Sequence, residues 1–242
     1  MPDKNLDLSS VKGGVVIIPA AGKGARFEDV LAKQYQLING IPLLEYTVNL
    51  FLKNEGVEKI VLVVSSDDCE YQKLACVEDK NIIIIDGGEK RQNSVSNALR
   101  FLYDNELPDD TAVLVHDAVR PCLSTTDFKL LMAAYSAKKG AYFLADPVSN
   151  SLKKLDLDLN VISSVDREDV VNALTPQMAP FITLKNAYSA TNLAGLNVTD
   201  EVAALTNFDI EVTAVIASDL NPKVTYPRDL ELVQHILKQR NS

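Results

Sequence analysis

The sequence predicts a doubly wound, mostly parallel α/β sheet, and three observations lead there. Short Val/Ile-rich runs recur at residues 15–19, 59–65, 81–86, 112–117, 141–147 and 210–217. Each is continuously apolar rather than alternating, the pattern of strands buried on both faces of a parallel sheet. Between them, residues 42–53, 90–103, 125–138 and 180–192 carry apolar side chains at three- and four-residue spacing, the helical period.

With 242 residues and 47% hydrophobic content, the chain is long enough to bury one large core. No internal repeat, low-complexity tract or composition shift divides it, so residues 1–242 read as a single domain. One stretch breaks the strand–helix rhythm. Residues 151–166 read as two short segments, SLKKLD and VISSVD, around a polar turn ending in Asp158-Leu159-Asn160, which is a hairpin signal. A lone two-stranded ribbon is marginal in water, so an arm over residues 148–168 needs a surface to pack on, and a partner subunit is the natural candidate. Asp156-Leu157-Asp158 formally matches the DxD of metal-dependent glycosyltransferases, but at the tip of a hairpin it reads as a solvated turn.

Charge and cysteine usage narrow the class. Lysine and arginine total 24 against 33 acids, a net charge of −9, which argues against a sequence-blind nucleic-acid binder. A polyanionic substrate must then be met by a local basic cluster. Cys69, Cys76 and Cys122 are odd in number and show no CxxC spacing, so neither a disulfide framework nor a structural zinc site is expected. The longest apolar run near the start, residues 15–21, is too short to span a membrane and lacks the order of a signal peptide. The expectation is a reduced, cytoplasmic protein with no membrane attachment.

Three strand ends carry chemistry. The first strand runs into Pro19-Ala20-Ala21-Gly22-Lys23-Gly24-Ala25-Arg26-Phe27, where missing side chains let backbone N–H groups approach a phosphate. The loop lacks the third glycine of GxGxxG and the Lys-Ser/Thr of a P-loop, which disfavours a dinucleotide fold and a P-loop NTPase; alone, it is also compatible with a plain tight turn. Lys23, Arg26 and Lys33 lie near it in sequence and Lys223 follows the last strand; together they could surround a triphosphate, though a single lysine is more often a solvated charge. Gly87-Gly88-Glu89-Lys90-Arg91-Gln92-Asn93-Ser94 joins a strand to a helix and puts a close-approach turn, a helix N-terminus and a hydroxyl in one place, able to read the polar edge of a base or simply to connect two elements.

The fourth strand ends in Val115-His116-Asp117-Ala118-Val119-Arg120-Pro121, placing an acid where open α/β sheets bind ligands; Asp117 could hold Mg²⁺ or another hard divalent cation through oxygen. His116 and His235 are the only histidines, and a lone histidine beside a strand end reads as a satisfied structural group before a catalytic base. Thr199-Asp200-Glu201 precedes an apolar-periodic segment and reads first as a helix cap, a role that leaves room for substrate contact at a site rim.

In order, PAAGKGARF, AKQY, DGGEKRQNSV, VHDAVRP, NALTPQ, VTDE and NPKVTYPRDL resemble the landmarks of 2-C-methyl-D-erythritol 4-phosphate cytidylyltransferases over nearly the whole chain. The resemblance implies CMP transfer from CTP to a sugar-alcohol phosphate in the non-mevalonate route to isoprenoids. It implies that Ala20, Ala21, Gly22, Lys23, Gly24 and Arg26 wrap the CTP phosphates, with Arg26 and Lys33 the principal catalytic cations and Lys223 a further one. Gly88, Glu89, Arg91 and Ser94 match the cytosine-reading segment, Asp117 the Mg²⁺-side acid, and Ala118 the same nucleotide-binding stretch. Ser151 and Arg167 match positions that reach the neighbouring subunit's site in a homodimer, and Thr199 and Asp200 the acceptor pocket. Ala25, Ala32 and Ser151 depart from the family's usual basic residue, proline and threonine; the first removes a potential phosphate contact, and the last keeps the hydroxyl. Two alternatives remain at this point: ribitol 5-phosphate as acceptor, against which Ala118 and the arm lean, and a catalytically silent nucleotide-binding protein.

Overall fold

The computed structural model describes residues 6–22 and 31–240. Its centre is a seven-stranded sheet built from β1 (Gly14–Pro19), β4 (Val57–Val64), β5 (Ile82–Asp86), β6 (Ala112–Val115), β7 (Ala141–Pro147), β10 (Val171–Pro180) and β11 (Val212–Ile216), in the order β11-β7-β10-β6-β1-β4-β5. All neighbours pair in parallel except β10, which runs antiparallel to both β6 and β7. The minor strands β2 (Leu37–Ile38) and β3 (Ile41–Pro42) form a separate ribbon, as do β8 (Leu152–Leu155) and β9 (Val161–Val165).

The continuous apolar runs are buried on both faces because successive side chains alternate between two cores. Val15, Ile17, Val61 and Val63 face α2 (Arg91–Asp104), α4 (Phe181–Leu193) and the short α5 (Glu201–Thr206). Val16, Ile18, Ile60 and Leu62 face α1 (Leu43–Leu52) and α3 (Thr125–Ala137). A third cluster seats α6 (Asp229–Arg240) through Val233, Ile236 and Leu237 against Leu43, Val119 and Val224. Each such side chain taken fully out of water stabilises the fold by about 1.5–3 kcal/mol.

Helices α1 to α4 and six strands of the central sheet follow the sequence expectations to within a few residues at each end. β6 stops at Val115, so His116 and Asp117 sit just beyond the strand rather than inside it. The strand of the central sheet that the sequence does not announce is β10. Asn172, Thr175, Pro176 and Gln177 interrupt its apolar character, and its register with β7 shifts between Ala173 and Gln177. Its reversed direction follows from its connection: β7 leads outward into the β8–β9 hairpin and returns directly as β10, with no helical crossover to turn the chain over.

The arm is therefore an extension of the β7–β10 connection. At its tip Asp156 closes the turn, its Oδ1 accepting from the backbone N–H groups of Asp158 at 3.0 Å and Asn160 at 2.8 Å, as the solvated-turn reading expects. Leu155, Leu157, Leu159, Val161 and Ile162 are all exposed in the single chain.

Parallel registry brings the carboxyl ends of the central strands level. Ile17 of β1 pairs with both Val61 of β4 and Val115 of β6, so the loops following β1 and β6 emerge side by side. The chain runs from β1 outward to β4 and β5, then returns to place β6 on the other side of β1. That reversal of strand order is where an open α/β sheet offers a crevice.

The core beneath this crevice depends on Phe51, which is fully buried and packs edge-on against His116 at 5.0 Å and Phe128 at 6.0 Å between ring centroids. Phe51→Ala is expected to lower unfolding free energy by about 3–5 kcal/mol, read by urea denaturation. A loss below about 1 kcal/mol would mean that the surrounding helices collapse into the space.

Candidate active site

Three loops meet at the crevice and are tied together by short-range contacts. The Ala20 N–H donates to Val63 O at 2.7 Å, and the Gly87 N–H to Val64 O at the same distance, so the first and second loops are both fixed to the end of β4, the strand that lies between β1 and β5. A Cβ on Gly87 would lie 2.5 Å from the Ala21 Cβ and 2.8 Å from the Ser94 Oγ, which is closer than any side chain tolerates, so the approach of these loops requires glycine there. The buried Ser94 hydroxyl accepts from the Gly88 N–H at 3.1 Å and donates to Lys90 O at 3.3 Å, pinning the turn to the start of α2. Lys33 stands at the start of a single helical turn, residues 33–35. The next residue, the buried Gln34, donates from Nε2 to Ala20 O at 2.7 Å and holds this turn against the first loop.

The third loop carries the charge. Asp117 is buried, and its carboxylate is approached by three cations: Lys223 Nζ at 2.9 Å from Oδ2, Arg120 Nε at 3.2 Å from Oδ2, and Arg91 Nε at 3.4 Å from Oδ1. Burial alone would favour the neutral acid. The charges of Arg91, Lys223 and Arg120 overcome it and hold the carboxyl well below the usual carboxylate range. The terminal nitrogens of Arg91 donate in a fork to Glu201, Nη1 to Oε1 at 2.8 Å and Nη2 to Oε2 at 3.0 Å. Arg120 Nη1 reaches back to Asn221 O at 2.6 Å, tying the Asp117 loop to the segment that carries Lys223.

His116 takes no part in proton transfer here. Its Nε2 lies 3.0 Å from Arg120 O, which can only accept, so Nε2 carries the proton and Nδ1 accepts from the Thr175 hydroxyl at 3.1 Å. The same Thr175 oxygen accepts the Asp117 N–H at 3.2 Å. Full burial pushes the imidazole down to about 4, so the ring is neutral near pH 7 and fixes the Asp117 backbone.

Two cavities share this centre. The first is lined by Ala20, Ala21, Gly22 and Lys33 on one side. Gly88, Glu89, Arg91 and Ser94 close the other, with Asp117, Ala118 and Lys223 at the base. The second shares Arg91, Asp117 and Lys223, and adds Thr199 and Asp200 together with Arg120, Thr175 and Gln177. Asp200 caps α5, its Oδ1 accepting from the Ala203 N–H at 2.9 Å, and its Oδ2 accepts from Gln177 Nε2 at 3.2 Å, so the capping and rim positions coincide. Ser151 and Arg167 lie on the exposed arm and line neither cavity; Arg167 Nη1 donates to Ser149 O at 3.1 Å. Lys23, Gly24 and Arg26 fall outside the described residues.

Sequence reasoning missed Gln34, Arg120, Thr175, Gln177 and Glu201 as members of the site. Each sits inside a quoted motif, but the partner that gives it a role is remote in sequence: Glu201 meets Arg91 and Gln34 meets Ala20 only after folding. Chemically, the arrangement offers cations around one ionised acid, an adjoining polar pocket and no proton-accepting histidine. Among the described residues, no three acidic, histidine or cysteine side chains are grouped to cage a metal ion. Asp117 is the acid common to both cavities, and its oxygen atoms are of the kind a hard divalent cation takes as ligands.

A family model described as IspD, 2-C-methyl-D-erythritol 4-phosphate cytidylyltransferase, matches residues 15–239. Proteins of that name from Actinobacillus pleuropneumoniae serotype 7 (37% identity over 93% of this chain and 96% of that protein) and Vibrio vulnificus strain CMCP6 (36% over 93% and 94%) are similar along nearly their whole length. The crystal structure of the Francisella tularensis protein of that name superposes with a TM-score of 0.80 at 32% identity, covering 93% of this chain and 100% of that one.

The neutral His116 has a measurable cost in acid. Its value falls from 6.5 in the unfolded chain to about 4 in the folded one, so only the unfolded chain gains this proton between those values. Stability is complete above about pH 6.5 and declines as pH falls toward 4, by about 3 kcal/mol for this group. Urea denaturation at pH 7 and pH 4.5 should show a decline that is smaller in His116→Gln; equal slopes in the two proteins would show that the ring is protonated in the fold.

Proposed function

The chain belongs to the 2-C-methyl-D-erythritol 4-phosphate cytidylyltransferase family and transfers CMP from CTP to 2-C-methyl-D-erythritol 4-phosphate in isoprenoid precursor biosynthesis; from that premise we propose how the described site performs the transfer. The observation that carries the proposal is Asp117, ionised among Arg91, Arg120 and Lys223 where the two cavities meet. CTP occupies the cavity between the first and second loops, with its base against Gly88, Glu89 and Ser94 and its phosphates toward Ala20–Gly22, Lys33 and Lys223. The acceptor occupies the pocket of Thr175, Gln177, Thr199 and Asp200.

The acceptor is a phosphate monoester with a second pKa of about 6, so near neutral pH it is largely dianionic. One of its oxygens attacks the α-phosphorus of CTP, a new P–O bond forms, and the bond to the β-phosphate oxygen breaks, releasing pyrophosphate. No proton need leave the nucleophile, which agrees with a site whose only nearby histidine is neutral and fully occupied by hydrogen bonds. The demand is instead to hold two mutually repelling anions in line and to neutralise charge at the transferred phosphorus and on the leaving group. Lys33 and Lys223 meet it from the cavity wall, together with Arg26 from the first loop. A bound Mg²⁺, with Asp117 as its protein ligand, would supply additional charge neutralisation on the phosphates.

We assign the arm to a homodimer. Its apolar side chains are exposed in the single chain, and a two-stranded ribbon gains stability only by packing. In that assembly Ser151 and Arg167, which line neither of the two cavities in their own chain, supply a hydroxyl and a charge to the acceptor phosphate in the partner's pocket. The three cysteines are free, in keeping with a reducing cytoplasm.

Pyrophosphate release with CTP and Mg²⁺ is expected with methylerythritol 4-phosphate and not with ribitol 5-phosphate; release with ribitol phosphate alone would overturn the acceptor. Lys33→Ala should lower turnover at least a hundredfold without unfolding the protein, as removing one preorganised donor costs on the order of 3 kcal/mol in the transition state. Near-normal turnover in a folded Lys33→Ala protein removes that role. Mixing inactive Lys33→Ala with inactive Arg167→Ala should restore activity, since a mixed dimer rebuilds one complete site. No recovery, with subunit exchange demonstrated, would place each site within one chain.

A further inference from the structure

We propose that Glu201 is a positioning residue for the transfer, acting through Arg91 to hold Asp117 in its working arrangement. Glu201 is fully buried at 0% exposure and lines neither cavity, so it touches no substrate. A carboxylate so far from water persists only if its oxygens are satisfied. They are: Oε1 accepts from Arg91 Nη1 at 2.8 Å and from the Tyr188 hydroxyl at 2.7 Å, and Oε2 accepts from Arg91 Nη2 at 3.0 Å.

The fork fixes the plane of the guanidinium, and with both terminal nitrogens engaged by Glu201, Nε is the nitrogen that lies in ion-pair distance of Asp117, 3.4 Å from Oδ1. Two carboxylates (Asp117, Glu201) and three cations (Arg91, Arg120, Lys223) leave the cluster with one positive charge. Without the Glu201 charge, the freed fork of Arg91 has Asp117 as its nearest carboxylate. Asp117 would then be drawn into a two-point pair with Arg91 and away from Lys223, which faces both cavities. Glu201 opens α5, directly after the acceptor-pocket residues Thr199 and Asp200, and Arg91 opens α2, directly after the nucleotide loop; the pair also joins the two halves of the site.

A purely structural role, anchoring α5, is distinguished by a double-mutant cycle on turnover. The inference rests on the reaction being centred on Asp117, which Asp117→Asn tests separately: full activity in that variant would remove the placement itself. Given an impaired Asp117→Asn, Glu201→Gln should lower kcat tenfold or more, with the KM for CTP changing less than threefold. Adding Glu201→Gln to Arg91→Lys, which has lost the fork, should cost less than a further twofold. Independent, multiplicative losses would overturn the proposal, as would near-normal kcat in a folded Glu201→Gln protein. If Glu201→Gln fails to fold, Tyr188→Phe takes its place in the cycle. Removing one hydrogen bond from Glu201, it should lower kcat two- to fivefold in the native background and leave it unchanged beside Arg91→Lys; equal losses in both backgrounds would sink the idea.

Discussion

The structure depends on one constraint: a carboxylate must stay ionised inside the protein. Asp117 lies just past the end of a central strand, where the sheet provides burial but little hydrogen-bonding capacity of its own. The fold meets this demand by collecting cations from two remote places in the chain, the start of α2 and the segment after β11, and one from the Asp117 loop itself. Each needs a support of its own: Glu201 behind Arg91, the Asn221 carbonyl behind Arg120, and the contact of Val224 N–H with Val119 O beside Lys223. The polar architecture of the site is thus a series of compensations that begins at one acid.

The sheet and the site are connected by the reversal at β10. A wholly parallel sheet would return each connection through a helix. β10 instead comes straight back between β6 and β7 and brings polar side chains with it. Thr175 binds both His116 and Asp117 from it, and Gln177 reaches Asp200 and the Val202 N–H, which fixes the start of α5. Polar side chains that break the apolar run of this strand are thereby the ones that build the second cavity.

This explains what the sequence made legible. The parallel strands and the main helices announce themselves through periodicity, because each buries a regular face. The three loops could be placed from glycines and strand ends, and the cap before α5 from Asp200. β10 was obscure because Thr175 and Gln177 serve the site rather than the core, and Pro176 between them further breaks the apolar run. Glu201 was obscure for a similar reason: as the second acid of a helix start it looks like a solvated charge, and only the arrival of Arg91 and Tyr188 makes it a buried counterion. Local pattern encodes which face a residue turns inward, while ion pairs across a hundred residues are decided by topology.

β10 has one more consequence. Within five residues it passes from exposed at Val171 to buried at Thr175 without a loop, a glycine or a helix end between. The strand pairs with β7 up to Ala173 and again from Gln177, so the register shift around the buried Thr175 is the joint between the arm and the pocket. The outer surface of the molecule and its most protected corner are thereby carried on one continuous strand.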